Sequence, residues 1–162
     1  MSNTDGNNFY SVMLIDDNEI DNLINQKMIE AASITKHIYT HTGARSAIEF
    51  LKNVEKLEEL SDQILPDVIF LDIDMPLMDG FQFLDEFEKL QDTTKSRCKI
   101  VMLTSSINPQ DVNKSKEYTY VKKYINKPLS QENLEKLNLS YYSLLRLSTK
   151  SSSIFTSKVG EK

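Results

Sequence analysis

A single cysteine, Cys98, stands among the 162 residues. One thiol closes no internal disulfide and offers no second sulfur for a zinc site, so Cys98 reads as an inert, reduced group. Histidine is nearly as scarce. His37 and His41 are the only two, they fall four apart in an extended segment, and strand geometry sets them too far apart to share a zinc ion. Positive charge is the minority sign: 19 Lys and Arg against 24 Asp and Glu give a net charge of -5. A non-specific grip on nucleic acid or anionic membrane needs concentrated Lys and Arg, so neither is expected as a partner. No apolar run approaches the ~20 residues that span a bilayer. The opening MSNTDGNN has neither the charged start nor the apolar stretch of a signal peptide. These absences lead to the expectation of a cytoplasmic protein whose partners are proteins or small ions.

What is present is a regular alternation. The 40% hydrophobic content suits one domain with a proper core. Five short apolar, β-branched segments, Phe9 to Ile15, Ile34 to Thr40, Val68 to Leu71, Ile100 to Leu103 and Tyr118 to Ile125, predict strands. Between and after them, Glu19 to Ala32, Ala44 to Leu60, Phe81 to Gln91, Pro109 to Glu117 and Gln131 to Leu147 predict helices. In the second helix Ile48, Leu51, Val54, Leu57 and Leu60 mark one apolar face. In the third, Phe83, Leu84, Phe87 and Leu90 read as core. Asn108 before Pro109, and Ser130 after Pro128, suit helix caps. Parallel strands need covering crossover helices, so the pattern predicts an α/β doubly wound (βα)₅ fold with a five-stranded parallel sheet. Residues 1–8 are expected to be disordered, 9–147 to form the domain, and the Ser-, Thr- and Lys-rich 148–162 to be a flexible tail.

In such sheets ligands bind beyond the carboxyl ends of the strands. The first strand ends in Asp16 and Asp17, the third in Asp72, the fourth in Thr104 and the fifth in Lys127 and Pro128. Three carboxylates crowded at one edge repel by several kcal/mol unless something positive joins them or some stay protonated. A hard divalent cation is the simplest remedy. Mg²⁺, or Mn²⁺ in its place, takes oxygen ligands and often sits beside a phosphoryl group. Lys127 cannot ligate a metal, but it can pair with Asp72 or with an oxygen of an incoming phosphate, and Thr104 offers a hydroxyl to the same oxygens.

Four stretches, "LIDDN" at Leu14 to Asn18, "FLDIDMPLMDG" at Phe70 to Gly80, "VMLTSS" at Val101 to Ser106 and "YINKP" at Tyr124 to Pro128, stand in that order along the chain. Together they resemble the response-regulator receiver domains of the CheY-like type, a flavodoxin-like fold with strand order 2-1-3-4-5. The resemblance covers Phe9 to Leu147. It implies that Asp72 is the phosphoacceptor, that Asp16 and Asp17 hold Mg²⁺ together with Asp72 and the backbone carbonyl of Asp74, and that Lys127 stabilises the phosphoryl oxygens. Thr104 would follow the phosphoryl group and Tyr124 would be the switch aromatic, with an output face on the fourth helix, fifth strand and fifth helix. It further implies a stand-alone signalling protein of a two-component or phosphorelay system, with no enzymatic turnover beyond its own phosphotransfer and autodephosphorylation. The partner would be a sensor histidine kinase or a histidine phosphotransfer protein, since neither histidine of this chain lies in a helix. An unknown downstream protein would receive the signal.

Two features depart from that pattern. The 55 residues from Asp17 to Asp72 are more than a compact receiver needs, and the excess falls in Asn53 to Pro66. Long variants with "LTSS" resemble single-domain regulators of hybrid or phytochrome-type sensor kinases. Asp74 places a second carboxylate near the path of a hydrolytic water. Other readings compete. The "LDIDMP" stretch resembles haloacid-dehalogenase-type phosphatases, but follows the third strand and meets Pro76 where that class continues to a Thr. A calcium loop fails because its sixth position is Leu77 and its twelfth Phe83. A phosphorylation-independent interaction module has no evident use for the acid cluster. Met75 and Met78 suit either a docking surface or loop packing. Leu134, Leu137, Tyr141, Leu144 and Leu145 leave open a homodimer through the last helix.

Overall fold

The computed structural model describes residues 9–138. The segments 1–8 and 148–162, and with them Tyr141, Leu144 and Leu145, lie outside the described residues. Strands β1 (Phe9–Ile15), β2 (Thr35–His41), β3 (Val68–Leu71), β4 (Lys99–Thr104) and β5 (Val121–Asn126) form one parallel sheet in the order β2-β1-β3-β4-β5. This is the doubly wound order expected from the sequence. Helices α1 (Glu19–Ala32), α2 (Ala44–Glu55), α3 (Gly80–Glu88) and α4 (Pro109–Ser115), with α5 at residues 131–138, connect and cover the strands.

Alternation along each strand divides the core into two layers. Met13, Ile15, Ile69, Leu71, Ile100 and Met102 face α2 and α3, where they meet Leu51, Phe83 and Phe87. Val12, Leu14, Val68, Phe70, Val101 and Leu103 face α1 and α5, where they meet Ile29, Leu134 and Leu137. Because both faces are covered, the central strands read as unbroken apolar runs. The caps follow from local chemistry. Asn18 accepts from the Ile20 and Asp21 amides at the start of α1, and Asp79 forms a reciprocal capping box with Gln82 at α3. Asn108 and Ser130 cap α4 and α5 as expected.

The second helix is shorter than its sequence pattern. It stops at Glu55 rather than Leu60, and the chain continues through a 3-10 turn at Glu58–Leu60 and a helical turn at Ser61–Ile64, with Glu58 in the left-handed region at φ 48. Leu57 and Leu60, placed on the apolar face by periodicity, are 46% and 53% exposed, and Leu65 fills the core instead. The chain must break there to re-enter the sheet at Val68, so the turn overrides the helical spacing. A short helix at Asp92–Arg97, too polar to show a periodic stripe, was not expected. The fifth strand starts at Val121 rather than Tyr118, and Tyr120 instead buries its ring against Phe87. The ends of α3, α4, β2 and β4 differ from expectation by one to three residues, as helix and strand ends commonly do. Met75 is buried and Met78 packs, partly buried, against the same core cluster, so both belong to loop packing, while Leu77 between them is 99% exposed at φ 69. Burial raises the Cys98 thiol to about 12, which suits an inert group.

Candidate functional site

The strand ends meet at one edge of the sheet. Asp16 and Asp17 follow β1, Asp72 follows β3, Thr104 ends β4, and Lys127 follows β5. Asp16 and Asp72 are buried and Asp17 is exposed, yet one carboxylate oxygen from each lies within 4.8 Å of the others. Into this cluster Lys127 extends its ammonium, with Nζ 2.5 Å from Asp16 Oδ2, 3.0 Å from Asp21 Oδ2 and 3.4 Å from Asp72 Oδ2. The Lys127–Pro128 peptide is cis.

Backbone amides fix the carboxylates. Asp16 Oδ1 accepts from the Asn18 amide at 2.9 Å, and Asp72 Oδ1 accepts from the Ile73 amide at 2.9 Å. Asn22, buried on α1, donates through Nδ2 to the Asp16 carbonyl at 2.8 Å, so the first turn of α1 and the end of β1 are held as one piece. On the other side Gly80 opens α3 against the backbone of Asp72. A Cβ there would stand 2.5 Å from the Asp72 carbonyl oxygen and 2.8 Å from Ile73 Cα, a distance that only glycine permits.

Electrostatics follows from burial. Removal from water raises the Asp72 carboxyl above the ordinary carboxylate range. Lys127 opposes that rise, the Asp16 charge adds to it, and the Thr104 hydroxyl and Ile73 amide pull it back down. Burial alone would lower the Lys127 ammonium, but Asp16, Asp21 and Asp72 outweigh it and hold the lysine firmly charged. Hard oxygen donors from three carboxylates, set this close with one ammonium among them in the described residues, fit a divalent cation such as Mg²⁺.

Thr104 and Tyr124 are joined through a residue that sequence reasoning passed over. Thr104 Oγ1 accepts from the Ser106 amide at 3.2 Å, and the Ser106 carbonyl accepts from Tyr124 Oη at 3.0 Å and from Asn126 Nδ2 at 2.8 Å. The Ser106 hydroxyl donates to Asp111 on α4 at 2.6 Å, which ties this loop to the helix. Tyr124 is half-buried, and burial, then Asp111, Asp74 and Asp72, raise its phenol while the Ser106 contact lowers it. The Asp74 side chain is exposed. Asp21 is the other residue missed. Its position in the first turn of the helix that follows the acid pair was the available signal, because helical side chains lean back toward the N-terminus. His37 is exposed beside Tyr10; His41, at the end of β2, packs its ring on Phe50 of α2, and its carbonyl accepts from the Asp16 amide at 3.1 Å.

Comparison with known proteins agrees with this geometry. Residues 12–138 match the family model described as the response regulator receiver domain. The chain is 32% identical over 125 residues to a sensor histidine kinase, CheAY, of Helicobacter pylori, aligning with 77% of this chain and 14% of that protein's length. It is 27% identical over 126 residues to the response regulator Rcp1 of Synechocystis sp., covering 78% of this chain and 82% of Rcp1. Among solved structures, a two component response regulator from Cytophaga hutchinsonii superposes with a TM-score of 0.75 at 28% identity, covering 83% of this chain and 98% of that one.

Proposed function

Because the chain belongs to the response regulator receiver domain family of two-component signalling, we propose that Asp72 accepts a phosphoryl group from a phosphohistidine on a partner kinase or phosphotransfer protein. One observation carries the reading: Lys127, far along the chain, lies 3.4 Å from Asp72 and 2.5 Å from Asp16 at the open edge of the sheet. A buried pairing alone would need one acid and one base; a second buried carboxylate and a third at the open rim beside them suit a site that receives a cation and a phosphoryl group.

The Asp72 carboxylate attacks phosphorus, the bond between phosphorus and the donor imidazole nitrogen breaks, and the imidazole leaves with that electron pair to be reprotonated from solvent. Asp16, Asp17 and Asp72, with the Asp74 carbonyl, would hold Mg²⁺, which when bound neutralises charge gathering on the phosphoryl oxygens. Lys127 supplies a second positive charge to those oxygens, and catalysis is otherwise positioning. Water later cleaves the acyl phosphate, releasing inorganic phosphate and restoring Asp72. The chain then turns over no substrate but its own phosphoryl group. Thr104, placed to follow the phosphoryl oxygens, passes their arrival to Tyr124 through Ser106 and to α4 through Asp111. The product is a changed surface on α4 and β5 for a downstream protein, or a phosphoryl group for onward relay. A stand-alone receiver is the setting we favour, supported by alignment over 82% of Rcp1 and 98% of the Cytophaga protein.

The test is covalent labelling with a small phosphodonor such as phosphoramidate, read by intact mass with and without Mg²⁺. Wild type should gain one phosphoryl group only with the metal, and Asp72→Asn none. Equal labelling of Asp72→Asn would overturn the assignment, and sustained turnover of an aryl phosphate would favour a phosphatase instead.

A further inference from the structure

Lys127 has three donor hydrogens and three carboxylate neighbours, and Asp21 is the one that no site reading accounts for. We propose that Asp21 is a positioning residue: it holds the Lys127 ammonium at the rim of the acid cleft, so that Asp72 is not the carboxylate that has to neutralise it. The part concerning reaction rests on the phosphoacceptor reading above; the part concerning Lys127 does not.

The geometry gives Asp21 a fixed place. Its amide donates to Asn18 Oδ1 at 3.2 Å, the Asn18 amide donates to Asp16 Oδ1, and Asp16 and Asp21 both accept from Lys127. Asp16, Asn18, Asp21 and Lys127 thus close a ring of hydrogen bonds. Exposure separates the three carboxylates. The Asp21 side chain is 35% exposed, against 5% for Asp16 and 6% for Asp72. A half-solvated carboxylate gives up or regains a partner at small cost, whereas a buried one left alone is costly. Asp21 is therefore the seat to which the ammonium can retreat.

That seat matters when a cation claims Asp16. The ammonium loses its 2.5 Å partner and keeps Asp21 and Asp72. If Asp21 were neutral, the lysine would turn to Asp72, whose Oδ1 already accepts from the Ile73 amide and which also faces the cation. Asp72 would then carry the whole ammonium as well, and a more fully charge-paired carboxylate is a poorer nucleophile.

Two measurements test this. In the metal-free protein the Lys127 side-chain ammonium, held by three carboxylates, should give a protected ¹H–¹⁵N resonance. Asp21→Asn should shift it and speed its exchange with water, because one of its three partners is gone, and Glu19→Gln, an exposed acid in the same helical turn, should leave it unchanged. In labelling by phosphoramidate at saturating Mg²⁺, Asp21→Asn should be slower by about tenfold, the scale of one hydrogen bond to a charged group. Asp21→Glu, which keeps the charge, should stay near wild type, and Glu19→Gln should equal it. In a Lys127→Ala background Asp21→Asn should have no further effect, because Asp21 acts only through the lysine. An unchanged resonance, an unchanged or faster rate in Asp21→Asn, or an equal loss in the Lys127→Ala background would each overturn the proposal. Failure of wild type itself to label would sink the phosphoacceptor reading, and the resonance would still decide whether Asp21 holds Lys127.

Discussion

Gly80 and Asp72 touch through their backbones: the position of a Cβ on Gly80 falls 2.5 Å from the Asp72 carbonyl oxygen. The start of α3 is therefore set directly against the end of β3, and the loop between them has no slack. Gly80→Ala should destabilise the fold by about 1–3 kcal/mol, as overpacking does. It should also displace Asp72 and slow its labelling. Urea unfolding alongside phosphoramidate labelling checks both.

Lys127 is the cation that makes the buried acids tolerable. Lys127→Ala leaves Asp16 and Asp72 facing each other unscreened. In the absence of divalent cations it should cost on the order of 2 kcal/mol, less than a fully buried pair because water reaches the rim. Mg²⁺ should restore more stability to this variant than it adds to wild type, since a ligand that binds only the folded state stabilises it. Thermal melts across a Mg²⁺ titration measure the difference. Equal shifts in the two proteins would refute it.

Burial raises the Asp72 carboxyl above its unfolded value, and the sign of its pH effect follows. A group whose folded value is raised favours the metal-free fold most at pH below the unfolded value. That contribution is lost as pH rises through the folded one. Metal binding runs the other way, because a ligand carboxylate must be deprotonated. Mg²⁺ affinity should thus begin to fall on acidification at a pH above the ordinary carboxylate range, and Asp72→Asn should flatten that part of the profile. Calorimetric titrations at stepped pH give the curve.

Leu51 and Leu57 distinguish the helix that formed from the one periodicity implied. Leu51 is fully buried and Leu57 is 46% exposed. Leu51→Ala should cost about 2–5 kcal/mol, whereas Leu57→Ala should stay within about 0.5 kcal/mol. Denaturant midpoints at constant slope are the readout. A large loss at Leu57 would mean that α2 runs on past Glu55.

The amino-acid sequence by itself determined the five strands, the order of helices between them, and the acids, hydroxyl and lysine at the strand ends. Each of those signals is local: a two-residue alternation, a capping side chain before a helix, a charged residue where an apolar run stops. It also misled where local pattern and path conflict, as at Leu57 and Leu60, whose helical spacing yields to the turn that returns the chain to β3. Tertiary structure alone decided that Asp21 shares Lys127 with Asp16 and Asp72, and that Ser106 joins Thr104 to Tyr124. Those contacts join segments up to 111 residues apart, and their distances depend on how α1 and α5 pack on one face of the sheet and α2 and α3 on the other. No periodicity within a single segment carries that information.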